Sequence, residues 1–188
     1  MPRPHVLAAF LALAACATAP PAALGPSGNP LPRAYAITPA MEDEVQLRFL
    51  DGVNAIRQSA GVPPMSLNAA LTAAAATHAR DMSVQNRPWH FGSDGSSPLE
   101  RVRRAGYEGQ LLGENISETY ETEMETLAAW TAAPETREVI ADPAARDLGF
   151  SWFQDPNGKI WWTMVTGTRA RPAIAAANNP PAAVTVQR

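Results

Sequence analysis

The sequence predicts an α+β domain in which helices cover both faces of a small antiparallel sheet, a three-layer α-β-α sandwich. Three observations predict it. Through most of the chain, apolar residues recur at helical spacing between helix start and stop signals. Near the end the period changes to alternation, the mark of strands. The alternating segment carries large apolar residues on both of its faces, so each face needs a cover.

The elements follow in order. Thr38-Pro39 opens the first helix, with proline at the first helical position and Glu42, Asp43 and Glu44 where the helix dipole favours acids. Val45, Phe49, Val53 and Ile56 give it an apolar stripe, and Gly61 with Pro63-Pro64 ends it. Asn68 caps a second helix running to about Gln85, whose stripe is Leu71, Ala75, His78 and Met82. That stripe puts His78 on a buried face, where a backbone carbonyl is the expected partner rather than a ligand. A glycine and serine loop spans 92–96, and Ser97-Pro98-Leu99-Glu100 is a capping box that starts a short helix stopped by Gly106. Thr122-Glu123-Met124-Glu125 is a second capping box, opening a helix expected to turn Met124, Leu127, Ala128 and Trp130 inward before Pro134 interrupts it. Residues 135–141 add another turn or two. Leu148, Phe150 and Trp152 then alternate with Gly149, Ser151 and Phe153; after the turn signal Asp155-Pro156-Asn157-Gly158, Ile160, Trp162 and Met164 alternate with Trp161, Thr163 and Val165. This is an antiparallel hairpin, to which Ile116 and its neighbours can add a strand.

With 188 residues and 20.0 kDa, the chain has room for one domain with a real core. A net charge of -3 and a pI near 5.6 provide no basic stripe, which argues against nucleic acid as a partner. At the N-terminus, Arg3 precedes an apolar run over 6–15, long enough for a signal-peptide core and too short to span a bilayer. Residues 1–15 are therefore read as a signal peptide. Leu13-Ala14-Ala15-Cys16 resembles the bacterial lipobox, and Cys16 is the only cysteine, so it is the expected lipid attachment site and the membrane the expected partner. Ala17 in place of Asp resembles the sorting pattern of outer-membrane lipoproteins, which implies a cell-envelope location, on the outer membrane facing the periplasm. Residues 16–39, rich in Pro and Ala, read as a flexible linker, 40–168 as the domain and 169–188 as a disordered tail.

Most catalytic signatures are missing. There is no Gly-x-Ser-x-Gly, no phosphate loop, no dinucleotide fingerprint and, once Cys16 is lipidated, no thiol. The loop at 92–95 has too few acids for calcium. What remains is His90, in Trp89-His90-Phe91-Gly92, and Glu114, in Gly113-Glu114-Asn115. Both are metal-ligand types, and together they can also act as a base with its orienting partner, or simply share a buried hydrogen bond. Two ligands fall short of the three or four that zinc uses.

The series Val53-Asn54-Ala55-Ile56-Arg57, Leu67-Asn68-Ala69-Ala70-Leu71, His78-Ala79-Arg80-Asp81-Met82, His90-Phe91-Gly92-Ser93-Asp94-Gly95, Gly106-Tyr107 and Gly113-Glu114-Asn115-Ile116 resembles the bacterial branch of the CAP (SCP/TAPS) superfamily. The resemblance continues through Trp130 to Trp161-Trp162 and covers residues 41–167. It implies the same α-β-α sandwich and a central cleft that, in members with a full site, two histidines and two glutamates line and use to hold a divalent cation. His90 matches the first histidine and Glu114 the first glutamate. Thr136 stands where the second histidine would be, Ala133 at the second glutamate's place, and Glu135 lies beside them. The chain is thus expected to bind no cofactor tightly and zinc at most weakly. It is expected to be a non-catalytic binding module for a lipid or envelope ligand; the alternative is a metal-assisted hydrolase acting on envelope peptides or cell wall, with water or His78 completing the coordination.

Overall fold

The computed structural model describes residues 35–119 and 121–169. The predicted signal peptide, Cys16, most of the linker and nearly all of the tail lie outside the described residues. A 3-10 turn, Pro39–Met41, leads into α1, Glu42–Ser59, whose first turn carries the three acids. α1 buries Val45, Phe49, Val53 and, against expectation for a charged side chain, Arg57. Tyr35 and Ile37 also pack on the core, and Ile37 donates its N–H to Gln154 Oε1 at 3.0 Å. The body therefore begins ahead of residue 40, within the stretch whose composition reads as linker.

α2, Ala69–Gln85, opens on Asn68, whose side chain accepts the N–H groups of Ala70 and Leu71, and ends on Asn86 in the left-handed conformation. Its buried face holds Leu71, Ala75, His78 and Met82, as the spacing requires. α3, Pro98–Arg104, and α4, Glu123–Ala132, each start with a complete capping box, Ser97 with Glu100 and Thr122 with Glu125. The inward face of α4 differs from the expected one: Glu123, Thr126, Leu127 and Trp130 are buried, whereas Met124 and Ala128 are exposed. Arg48 of α1 donates from Nε to Glu123 Oε1 at 2.5 Å, which pairs the buried acid, while Met124 lies at the margin of the interface with its Cε beside Gly52 of α1. After Ala133, α5 spans Pro134–Ala141.

Four strands, β1 (Ser66–Leu67), β2 (Leu111–Thr119), β3 (Asp147–Gln154) and β4 (Ile160–Gly167), form one sheet in the order β1-β3-β4-β2. β3 and β4 make the expected hairpin, with Trp152 opposite Trp162 and Gly158 N–H donating to Asp155 O at 2.8 Å. β2 is the strand around Ile116, antiparallel to β4. The sheet is mixed, not purely antiparallel, because β1 runs parallel to β3. Two residues cannot display a period, so β1 has no sequence signature; it is held by Ser66 N–H on Arg146 O and Asn68 N–H on Leu148 O.

Trp161 and Trp162 show the layering, since neighbours on a strand point to opposite faces. Trp162 belongs to the core under α1, α4 and α5, with Phe49, Leu127, Trp130, Ile140 and Phe150; there Phe49 stacks on Phe150 at 3.6 Å between ring centres. Trp161 packs with Ala79 and Met82 of α2 on the other side. α2 comes close to the sheet because Gly149 has no side chain: a Cβ there would sit 2.2 Å from the carbonyl carbon of Leu71.

Candidate functional site

Four elements converge on one carboxylate. Glu114 stands on β2, His78 on α2, Arg101 on α3, and His90 on the connection between α2 and α3. Which face Glu114 takes depends on a register irregularity between Leu111 and Gly113. Leu111 packs in the cluster of α2 and α3, Leu112 in that of α1, and Gly113 lies against Val139 of α5. In a regular strand Leu111 and Glu114 would face opposite ways; the irregularity brings them to the same side. Asn115 points the other way and donates from Nδ2 to the Thr136 carbonyl at 2.9 Å.

The carboxylate of Glu114 is buried, with its side chain 4 % exposed. Arg101 Nη2 donates to both of its oxygens, at 2.9 Å to Oε1 and 2.7 Å to Oε2, and His90 Nδ1 donates to Oε1 at 2.9 Å. His78 Nε2 lies 3.8 Å from the same Oε1 but donates to the Trp89 carbonyl at 2.9 Å, which is the backbone partner the sequence suggests for it. His78 Nδ1 has no hydrogen-bond partner among the described residues. The other arm of the Arg101 guanidinium, Nη1, donates to the carbonyls of His90 and Ser96 at 2.9 and 3.1 Å. Two successive carbonyls, Trp89 and His90, are thus fixed by two different helices. Asp81 secures the next turn by accepting Ser93 N–H at 2.7 Å and Ser93 Oγ–H at 2.6 Å, and Gln85 accepts the Trp89 indole N–H at 2.8 Å.

Burial alone would push the Glu114 carboxyl up. The His90 hydrogen bond, nearby His78 and the Arg101 guanidinium outweigh it and hold the group below the usual carboxylate range. Burial lowers His78 below the ordinary imidazole value, against the pull of Glu114. Arg101 brings the charge that persists at every physiological pH. His90 gives Nδ1–H to the carboxylate and holds its ring on a side chain that is 52 % exposed. Chemically the arrangement is an oriented imidazole at the surface, backed by a carboxylate whose charge Arg101 compensates.

The structure brings His90 and Glu114 together, as their matching positions suggest. Thr136 and Ala133 supply no donor to the set: Thr136 turns its hydroxyl back to the Trp130 carbonyl at 2.6 Å, and Ala133 is the joint between α4 and α5. Glu135 is exposed on the first turn of α5. Among the described residues, no three His, Cys, Asp or Glu side chains form a group that could hold a metal ion. Sequence reasoning missed Arg101. Its signal was the capping box at Ser97, because the fourth helical position of such a helix turns inward to meet the residue before the cap. That position is usually apolar; here an arginine fills it and bonds the Ser96 carbonyl.

Comparison with known proteins supports the fold. The profile of the cysteine-rich secretory protein (CAP) family matches residues 50–166. The uncharacterized protein YkwD of Bacillus subtilis is 25% identical over 129 residues, 69% of this chain and 49% of that protein, so the chain spans about half the length of this curated relative. An extracellular protein of Bacillus anthracis containing an SCP domain shares the fold with a TM-score of 0.64 at 20% identity, over 71% of this chain and 45% of that one. An outer surface protein of Borrelia burgdorferi does so with a TM-score of 0.58 at 12% identity, over 69% and 95%. With the α-β-α layering, the convergent His90 and Glu114 and the profile match over most of the folded body, the chain belongs to the CAP family.

Proposed function

We propose that the chain is a non-catalytic binding module of the bacterial cell envelope, exported and held at the membrane by lipid on Cys16, whose cleft at His90 and Glu114 works without a metal ion. The observation that carries this reading is the two-fold contact of Arg101 with Glu114. A guanidinium already provides the positive charge that a divalent cation would bring, and both carboxylate oxygens accept its N–H groups. A cation would have to displace that contact with only His90 free to join it. Zinc needs three or four protein ligands, and the residues present do not fit it. The ligand class is a lipid or another envelope component, met by the exposed imidazole and by Trp89 and Phe91, whose rings pack 5.4 Å apart beside it.

Isothermal titration with zinc chloride tests the cleft. No saturable heat is expected at micromolar zinc; sub-micromolar binding that His90→Ala abolishes would overturn the metal-free reading. The location draws support from the names of two structural relatives, an extracellular and an outer surface protein. Fractionation of cells tests the anchor: Cys16→Ser is expected to move the protein from the membrane to the soluble fraction, and equal membrane retention of both forms would refute lipidation.

A further inference from the structure

A recess of about 420 Å³ lies between α2 and α3, bordered by the 92–96 loop. Its lining includes Ala73, Ala74 and Asp81 of α2, Asp94 of the loop, and Arg101 and Arg104 of α3; neither His90 nor Glu114 belongs to it. The charges are divided by wall. Acids come from α2 and the loop, guanidiniums from α3, and alanine methyl groups supply an apolar surface. At the solvent rim, Asp94 and Arg104 pair at 2.5 Å with both side chains more than half exposed. Deeper in, Arg101 is 6 % exposed and uses both terminal nitrogens, on Glu114 and on the carbonyls of His90 and Ser96. A cavity of ligand size with guanidiniums on one wall and carboxylates on the others offers both signs of charge to an incoming molecule.

We propose that this recess binds a small zwitterion, an amino acid or short peptide with small apolar side chains, its ammonium toward Asp81 and Asp94 and its carboxylate toward Arg101 and Arg104. A ligand of one sign would meet a like charge on one wall, whereas a molecule carrying both charges complements each. Separating the Asp94–Arg104 pair to admit it is a small obstacle, because exposed ion pairs are weak. Methyl-sized side chains match Ala73 and Ala74. This site is independent of the His90 cleft in every lining residue except Arg101, which serves both.

Titration of the full chain with dialanine, followed by amide NMR, tests the proposal. Saturable shifts are expected at residues around Ala73 and Arg104. N-acetyl-dialanine, which lacks the ammonium, and dialanine amide, which lacks the carboxylate, should each bind about tenfold more weakly or worse, as befits loss of a charge-assisted contact. Ala73 is exposed, so Ala73→Phe fills the recess without entering the core and should abolish the shifts; Arg104→Gln should weaken binding by roughly tenfold. Comparison with alanine and trialanine distinguishes a free amino acid from a peptide end, either of which upholds the assignment. Dialanine binding should persist in His90→Ala, whatever zinc does at the cleft. Absence of saturable shifts with dialanine, or equal binding of all three forms, overturns the proposal.

Discussion

Arg57→Met is expected to destabilise the domain by roughly 3–5 kcal/mol, a large part of the 5–15 kcal/mol that holds a typical domain together. Arg57 is fully buried and no carboxylate pairs with it among the described residues; backbone carbonyls surround it instead. Nε donates to Pro63 O at 2.7 Å, Nη1 to Ile140 O and Asp142 O at 2.6 and 3.0 Å, and Nη2 to Ala145 O at 3.0 Å. One side chain of α1 therefore ties the loop after its own helix, the end of α5 and the approach to β3. Burial pulls its pKa down, as does neighbouring Arg146, yet an arginine stays charged far beyond neutral pH. Methionine keeps most of the volume and removes a donor from all four carbonyls; Asp142 O keeps the Ala145 N–H and Ala145 O keeps Arg146 Nη1, whereas Pro63 O and Ile140 O are left without a donor among the described residues, each at a cost of about 1–3 kcal/mol when it cannot reach water. Arg57→Lys should fall between, since an ammonium lacks the planar fork. Urea unfolding reads the effect as a lower midpoint with an unchanged slope. A loss below about 1 kcal/mol for the methionine variant would show that the carbonyls find other partners.

The second large effect belongs to Arg101→Met, which removes the cation from a buried carboxylate. Breaking a buried pair from one side typically costs about 3–5 kcal/mol, because the remaining charge has no counterpart. Here it should also weaken a pH dependence. In the native protein, Glu114 titrates below its ordinary value of 4.5, so its contribution to stability is present above pH 4.5 and is lost as the pH falls through the folded pKa. Without Arg101, the His90 hydrogen bond and His78 still oppose burial, but the folded pKa moves up toward the ordinary value. The stability that Glu114 contributes above pH 4.5 then shrinks, and with it the loss on acidification. Thermal melts taken from pH 7 down to below pH 4.5 distinguish the two slopes. Glu114→Gln in the same chain should recover much of the lost stability; a variant whose melting temperature keeps the native pH trend would exclude Arg101 as the counter-charge.

How far the sequence revealed the molecule depended on whether a feature was local. Capping boxes at Ser97 and Thr122, the cap at Asn68 and the alternation around Trp152 and Trp162 are short-range patterns, and each element appears where its pattern lies. Strand β1 was invisible because its pairing with Asp147 and Leu148 is long-range and two residues long. Hydrophobicity alone does not mark Glu123 as an inner-face residue of α4, because its partner Arg48 is distant in sequence. Of the site, His90 and Glu114 were legible as unusual polar residues among glycines and aromatics. Arg101 and the buried Arg57 were not, since arginine reads as a surface residue until its acceptors are known, and those come from elsewhere in the chain.

The double fastening of Trp89 O by His78 and of His90 O by Arg101 bears on the freedom of the His90 ring. A half-exposed ring on a connection between helices would ordinarily wander through many orientations. Here the carbonyls of Trp89 and His90 are bonded to two separate helices, so ordering the ring against any contact would forfeit less conformational freedom than on an untethered loop.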